Sequence, residues 1–242
     1  MLPFMFVCAQ LIAHETFDYK DGSSLDGAEG GTGWKGAWSG KGKAGCSTSP
    51  AGTCLLDGSD TRLFRHLDAE RKEVAALVED GKSGKTFGKD GTTLWIAFTI
   101  ACTSHPKIAH GGLHLMDGIG EGYYKNFQRI QLGRQNKGET WFLGRVDQGG
   151  PAAGTWYGTV ASDKTARRLV YRFDFKAGPE EGWMWVDPAP GKDPGPAKAD
   201  LHADKVADFR FNAVNLGSGG GATFTFADLR IATTFANVVP VK

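Results

Sequence analysis

Strict alternation of apolar and polar side chains constrains this chain more than any other feature. Residues 167–175 read Arg-Arg-Leu-Val-Tyr-Arg-Phe-Asp-Phe. Leu169, Tyr171, Phe173 and Phe175 therefore fall on one side of an extended backbone, and Arg168, Arg172 and Asp174 on the other. The same period of two recurs over residues 223–231, 208–212 and 94–100, the last with a less polar second face that lies deeper. Segments of this kind bury one face each by stacking sheet on sheet, so the fold class is all-β, a sandwich of two antiparallel sheets. Shared parity places Phe98, Phe173, Phe209, Phe211, Phe224 and Ile231 in its core. In the last segment the apolar parity passes from Phe224 and Phe226 to Leu229 and Ile231, which predicts a β-bulge near Ala227.

The connections agree with this reading. The 242 residues include 35 glycines, clustered at 30–33, 111–112, 149–150 and 217–221, and many glycines between short apolar runs mean many turns. Further strands are expected near 112–116, 127–133, 140–146 and 155–160. Helix formers dominate only over 69–78, which predicts one short helix. Residues 82–91 repeat Gly and Lys without a period and read as an irregular excursion. Trp183-Met184-Trp185 is apolar on both faces and is expected between two layers. The proline-rich run 187–196 cannot donate a regular ladder, and strands on both sides of it make it a loop within one domain, residues 14–242. With 28 basic and 27 acidic side chains, no global field exists to hold nucleic acid or an anionic membrane.

Residues 1–13 are too short and too interrupted to span a bilayer. They read as the remnant of a secretory signal without a basic beginning, with Val7-Cys8-Ala9 or Leu11-Ile12-Ala13 as cleavage site, and so point to a secreted, periplasmic or cell-surface protein. A buried N-terminal strand is the other reading of this segment. Cys46 and Cys54 enclose a short polar loop with no zinc-like spacing, so a local disulfide is expected in an exported chain. Cys102 ends an apolar strand and reads as a small buried hydrophobe.

Glu15-Thr16-Phe17-Asp18-Tyr19, Gly22-Ser23-Ser24-Leu25 and Gly30-Gly31-Thr32-Gly33-Trp34-Lys35-Gly36-Ala37-Trp38 form a recognisable opening. Residues 91–95, 112–118, 185–188 and 226–234 continue the pattern. The chain resembles exported bacterial proteins with a concanavalin A-like (LamG-like) jelly-roll domain, of the kind common in Planctomycetes and Verrucomicrobia. The resemblance implies two sheets curved over each other, with a concave face that many proteins of this fold use for glycans. A fold alone does not assign that use.

Jelly-roll glycosidases need two carboxylates on one strand face, as acid and as nucleophile, and no strand here carries that spacing. A lyase of this architecture needs Arg, a Gln-x-His pair and Tyr on facing strands. Gln128-Arg129-Ile130-Gln131 lacks the histidine, leaving a loose set of Arg129, His114 and Tyr124. His105, His110 and His114 do not share one strand face and read as loop and surface histidines. Calcium is harder to dismiss than zinc or copper at these histidines, with the loop carboxylates Asp117, Asp187 and Asp193 as candidates. Glycan recognition needs a flat aromatic beside planar polar groups. The candidates are Trp141, Trp156, Tyr123 and Tyr124 with Arg129, Arg145, Arg172 and Asn212. On these grounds the expected function is that of an extracellular non-catalytic recognition module, carbohydrate-binding or cell-surface adhesive, with a polysaccharide or cell-surface glycan as partner. The alternative is a polysaccharide-active enzyme, hydrolase or lyase, on a jelly-roll scaffold.

Overall fold

In a computed structural model that describes residues 9–20, 22–41, 52–57, 61–104, 109–118, 129–134, 139–146 and 156–241, the alternating segments form two large antiparallel sheets. The first runs β1 (Leu11–Glu15), β16 (Thr223–Ala232), β7 (Thr93–Ser104), β12 (Arg167–Asp174), β13 (Glu181–Val186) and β14 (Leu201–Ala203), with β3 (Thr53–Leu56) also paired to β16. The second runs β11 (Trp156–Ala161), β10 (Thr140–Val146), β9 (Arg129–Arg134), β8 (His110–Met116), β15 (Ala213–Gly219), β4 (Thr61–Leu67) and β2 (Trp34–Lys41). This is the two-sheet sandwich that the alternation requires, and the resemblance implies its jelly-roll form.

The core lies where the inner faces meet. Phe98, Tyr171, Phe173, Met184, Phe226 and Ile231 of the first sheet pack against Leu113, Leu115, Ile130, Leu132, Leu143 and Leu216 of the second. Phe98 stacks on Tyr171 at 6.0 Å between ring centroids. The Tyr171 hydroxyl crosses the gap and donates to the Phe142 carbonyl at 3.1 Å, which satisfies a polar atom that burial would otherwise penalise. All six side chains expected in the core are buried. The bulge is also present. The register of β16 on β7 shifts between Ala227 and Arg230, and Asp228 takes φ of 47°. The shift divides the strand's free edge, so that residues 224–227 pair with β3 and residues 229–232 with β1.

Four expectations change. The helical stretch narrows to a 3₁₀ segment, Lys72–Leu77, that buries Val74 and Leu77. The excursion at 82–91 contributes to a hairpin of β5 (Val78–Gly81) and β6 (Gly84–Phe87), in which Val78 opposes Phe87. Of the 183–185 run, only Met184 enters the space between the sheets; Trp183 and Trp185 join a separate cluster on the outward side with Trp95 and Phe235. That cluster packs with a short helix, α1 (Phe235–Val238), which no period announces. Finally, β1 begins at Leu11 and buries Ile12 and Ala13, residues that the sequence reading assigns to the leader.

The opening motif is organised around one buried ion pair. Arg65 Nη1 meets Glu15 Oε2 at 2.6 Å, with both side chains almost wholly buried. The same carboxylate oxygen accepts from Trp38 Nε1 at 2.9 Å and Tyr19 OH at 2.8 Å, and Oε1 accepts from the Phe17 amide at 2.9 Å. The guanidinium lies 5.4 Å and 5.6 Å from the ring centroids of Trp34 and Trp38. Burial and the neighbouring Glu15 push the Tyr19 phenol well above its ordinary pKa. Gly33 is required because a Cβ there would stand 1.9 Å from the Ile12 carbonyl oxygen. Since β1 belongs to the first sheet and β2 and β4 to the second, the motif clamps one edge of the sandwich.

Candidate functional site

With the inner faces committed to the core, chemistry falls to the outward faces. On the second sheet, register aligns Phe64, Asn215, His114, Gln131 and Gly144 as successive cross-strand neighbours on β4, β15, β8, β9 and β10. The adjacent row is Arg62, Gly217, Gly112, Gly133 and Phe142. Three consecutive glycines across three strands leave a strip without side chains beside a polar row. Gly112 and Gly133 have φ of 152° and 142°, and a Cβ on either would collide with the backbone of the other strand, at 2.0 Å from Leu132 O and 2.5 Å from Gly111 O.

Asn215, His114 and Gln131 are 0%, 7% and 5% exposed. The Asn215 amide donates to the carbonyls of Leu63 and Leu216, both at 3.1 Å. With its N–H groups so engaged, its Oδ1 is held over Gly217, 3.2 Å from where a Cβ would stand, and His114 Cε1 is 3.5 Å from the same point. Directly opposed residues in an antiparallel ladder have Cβ atoms about 5 Å apart, so imidazole and both amides can reach one bound group. Histidine can take and return a proton near neutral pH, and an amide N–H can hold an oxygen on which negative charge develops. Among the described residues no carboxylate stands on the outward positions of these strands.

The outward face of the first sheet differs. His202, Trp183, Arg172, Trp95 and Ala232 are successive neighbours across β14, β13, β12, β7 and β16. Trp183 stacks on His202 at 5.1 Å and Trp95 on Trp185 at 5.3 Å. Arg172 lies between Trp183 and Trp95, 5.0 Å and 5.7 Å from their centroids. Its Nε and Nη2 hold Asp174 at 2.9 Å and 2.7 Å.

The residues expected to bind glycan do not converge. Trp141 is fully buried in the core, which corrects its assignment as a stacking platform. Arg145 is half-buried and in register with Ile130, a core residue. Arg172 belongs to the opposite sheet. Arg129 opposes Met116 and Trp156 opposes Gly144, next to the polar row, and only their backbones are described. Asn212 is occupied, accepting from Gly118 N and donating to Ser83 and Lys85 carbonyls. Tyr123, Tyr124, His105 and Cys46 lie outside the described residues.

The three calcium candidates do not converge either. Asp187 accepts from Arg167 Nη1 at 2.9 Å and from the Arg168 amide at 2.7 Å. Asp193 closes a turn onto Gly195 N at 2.8 Å. Asp117 follows β8 on the other sheet, with a buried Oδ1 that has no hydrogen-bond partner. Among the described residues no three His, Cys, Asp or Glu side chains are grouped to hold a metal ion. Gln131 and Asn215 are the site residues that the sequence reading missed. The histidine absent from the Gln-x-His pattern stands opposite Gln131 on the neighbouring strand.

No protein-family model matches the sequence, and no curated protein matches it. Solved structures share the fold. The endo-1,3-β-glucanase of Streptomyces sioyaensis superposes with a TM-score of 0.54 at 13% identity, covering 96% of this chain and 99% of that one. Rv0315 of Mycobacterium tuberculosis, described as an immunostimulatory antigen and pseudo β-1,3-glucanase, gives 0.52 at 13% identity, covering 93% and 99%. A structure from work on endo-acting O-glycanases of the human gut microbiota that initiate mucin breakdown gives 0.53 at 12% identity, covering 93% and 100%. The expectation of a non-catalytic recognition module is thereby corrected: the fold is the one that these glucanase structures share, which favours the alternative reading.

Proposed function

We propose that this protein is a polysaccharide-active enzyme working on the outward face of its second sheet, with His114 as the proton-transferring group. The observation that carries the reading is the Asn215, His114, Gln131 row beside a glycine strip, on a fold shared with glucanases. Asn215 Oδ1 accepts a substrate hydroxyl, and Gln131 donates to an oxygen gaining charge. A histidine flanked by amides suits elimination better than hydrolysis by paired acids. His114 takes the proton next to the carboxyl of a uronic-acid unit, and the C–H electron pair becomes a C=C bond. The glycosidic C–O bond breaks, and the departing oxygen recovers the proton from the imidazolium.

The finer parts of the reading are an extracellular location, kinship with LamG-like jelly-roll proteins, and one domain that begins with β1 rather than at residue 14, with a leader before it. The burial of Ile12 and Ala13 favours cleavage at Val7-Cys8-Ala9 over cleavage after Ala13, which would cut β1. The Cys46 to Cys54 bridge stays part of the proposal, with Cys54 buried on β3 and Cys46 outside the described residues. The deciding experiment incubates the protein with β-glucans and with uronate polysaccharides and measures both new reducing ends and unsaturated ends. Turnover lost in His114→Ala is expected. Absence of turnover on every polymer, or full activity in His114→Ala, overturns the reading.

A further inference from the structure

The outward face of the first sheet holds a pocket of about 400 Å³, within the size range of small-ligand sites. Arg172, Trp95, Thr93, Asp193, Thr234 and Phe235 line it. Arg172 is immobilised by two indole rings and by Asp174, and that arrangement engages Nε and Nη2 but not Nη1. Thr234 Oγ1 is buried and has no hydrogen-bond partner, and it makes no capping bond to α1 although Thr234 precedes that helix. Burying a hydroxyl without a partner is unfavourable, a deficit that a ligand's polar group would remove. Asp193 commits Oδ1 to its own turn. The edges of Trp95 and Phe235, in contact at 5.4 Å, supply the apolar part of the wall.

We propose that this pocket binds one neutral hexose unit of a polysaccharide, remote from the His114 row and without chemistry of its own. A fixed guanidinium donor, a hydroxyl and a carboxylate acceptor around an apolar edge match vicinal hydroxyls on a pyranose ring. The Asp193 carboxylate disfavours a phosphate or uronate group in the same place. The pocket opens on the sheet opposite the polar row, so a polymer held here is tethered rather than cleaved.

The test titrates the full chain carrying His114→Ala with laminaritriose, cellotriose and maltotriose and follows tryptophan fluorescence, since Trp95 forms part of the wall. Saturable binding of at least one trisaccharide is expected, weakened about tenfold by the near-isosteric Thr234→Val, the change that losing one hydrogen bond to a buried group predicts. Arg172→Met, which keeps an apolar stem between the indoles, should weaken it at least as much, with the melting transition checking the fold of both variants. Binding by no trisaccharide, or binding unchanged in Thr234→Val, overturns the proposal. Binding here without turnover by the wild-type chain would support the pocket while defeating the enzyme reading, so the two fail separately.

Discussion

The outward faces of the two sheets are built by the same alternation, but they end in different states. On the first sheet, outward positions carry Trp95, Trp183 and Trp185, which interlock with one another, with Arg172 and with Phe235 of α1. They form a second apolar layer. On the second sheet the corresponding positions carry two amides, an imidazole and glycines, which pack poorly and hydrogen-bond well. Alternation reports that a side chain points away from the main core. What covers it decides whether that direction leads to another core or to a site.

The sharpest way to break this contrast is Trp95→Ala. If the outward face of the first sheet is truly core-like, removing this ring should cost about 3–5 kcal/mol in denaturant unfolding, as much as Phe173→Ala on the inward side. A cost below about 1 kcal/mol would make it a surface.

The next largest effect is electrostatic. Burial raises the Glu180 pKa to about 7, against the opposing pull of the Lys176 amide and Arg210. Arg210 also holds Glu79 and Asp90. The folded protein therefore keeps a proton on Glu180 in a range where the unfolded chain has lost it. Its contribution to stability is full below about pH 4.5 and is lost as pH rises to about 7, a change of roughly 3 kcal/mol. Glu180→Gln should flatten that slope in unfolding curves taken across the range. Asp228 acts in the opposite sense. His14, Arg168 and Arg230 hold its carboxyl below the usual carboxylate range although burial opposes them, so its contribution is present above pH 4 and lost as pH falls through the folded pKa.

A smaller effect is expected at Arg172. Alternation alone makes Arg172→Ala nearly neutral, whereas the stacked guanidinium predicts a loss of about 1–2 kcal/mol, readable as a shifted denaturation midpoint. The smallest effect on stability belongs to the second sheet. His114→Gln should change stability by less than about 1 kcal/mol while abolishing turnover. A large destabilisation with turnover intact would make the polar row part of the scaffold.

The fold was legible because burial writes itself into each strand separately: Leu169, Tyr171 and Phe173 declare their face without reference to any other segment. The bulge at Asp228 was legible for the same reason. The site was not, because it exists between strands. His114 and Gln131 meet by register across β8 and β9, a relation that spacing within either strand does not contain. Trp141 misled for a related reason. With Phe142 beside it and both rings buried, β10 is apolar on both sides and its parity does not identify the wet one.

The pairing of β16 has a consequence for how the molecule comes into being. Its neighbours β1, β3 and β7 are all made long before it, and Gln10 N reaches Thr233 Oγ1 across 223 positions of sequence. Synthesis runs from the N-terminus, so β1 and β3 leave the ribosome without their partner and the first sheet cannot close until residue 232 is out. Contacts this distant slow folding and leave strand edges open meanwhile. During that interval the chain can still be threaded through a narrow channel, and a factor that shields open strand edges would raise the yield of native protein without touching the finished structure.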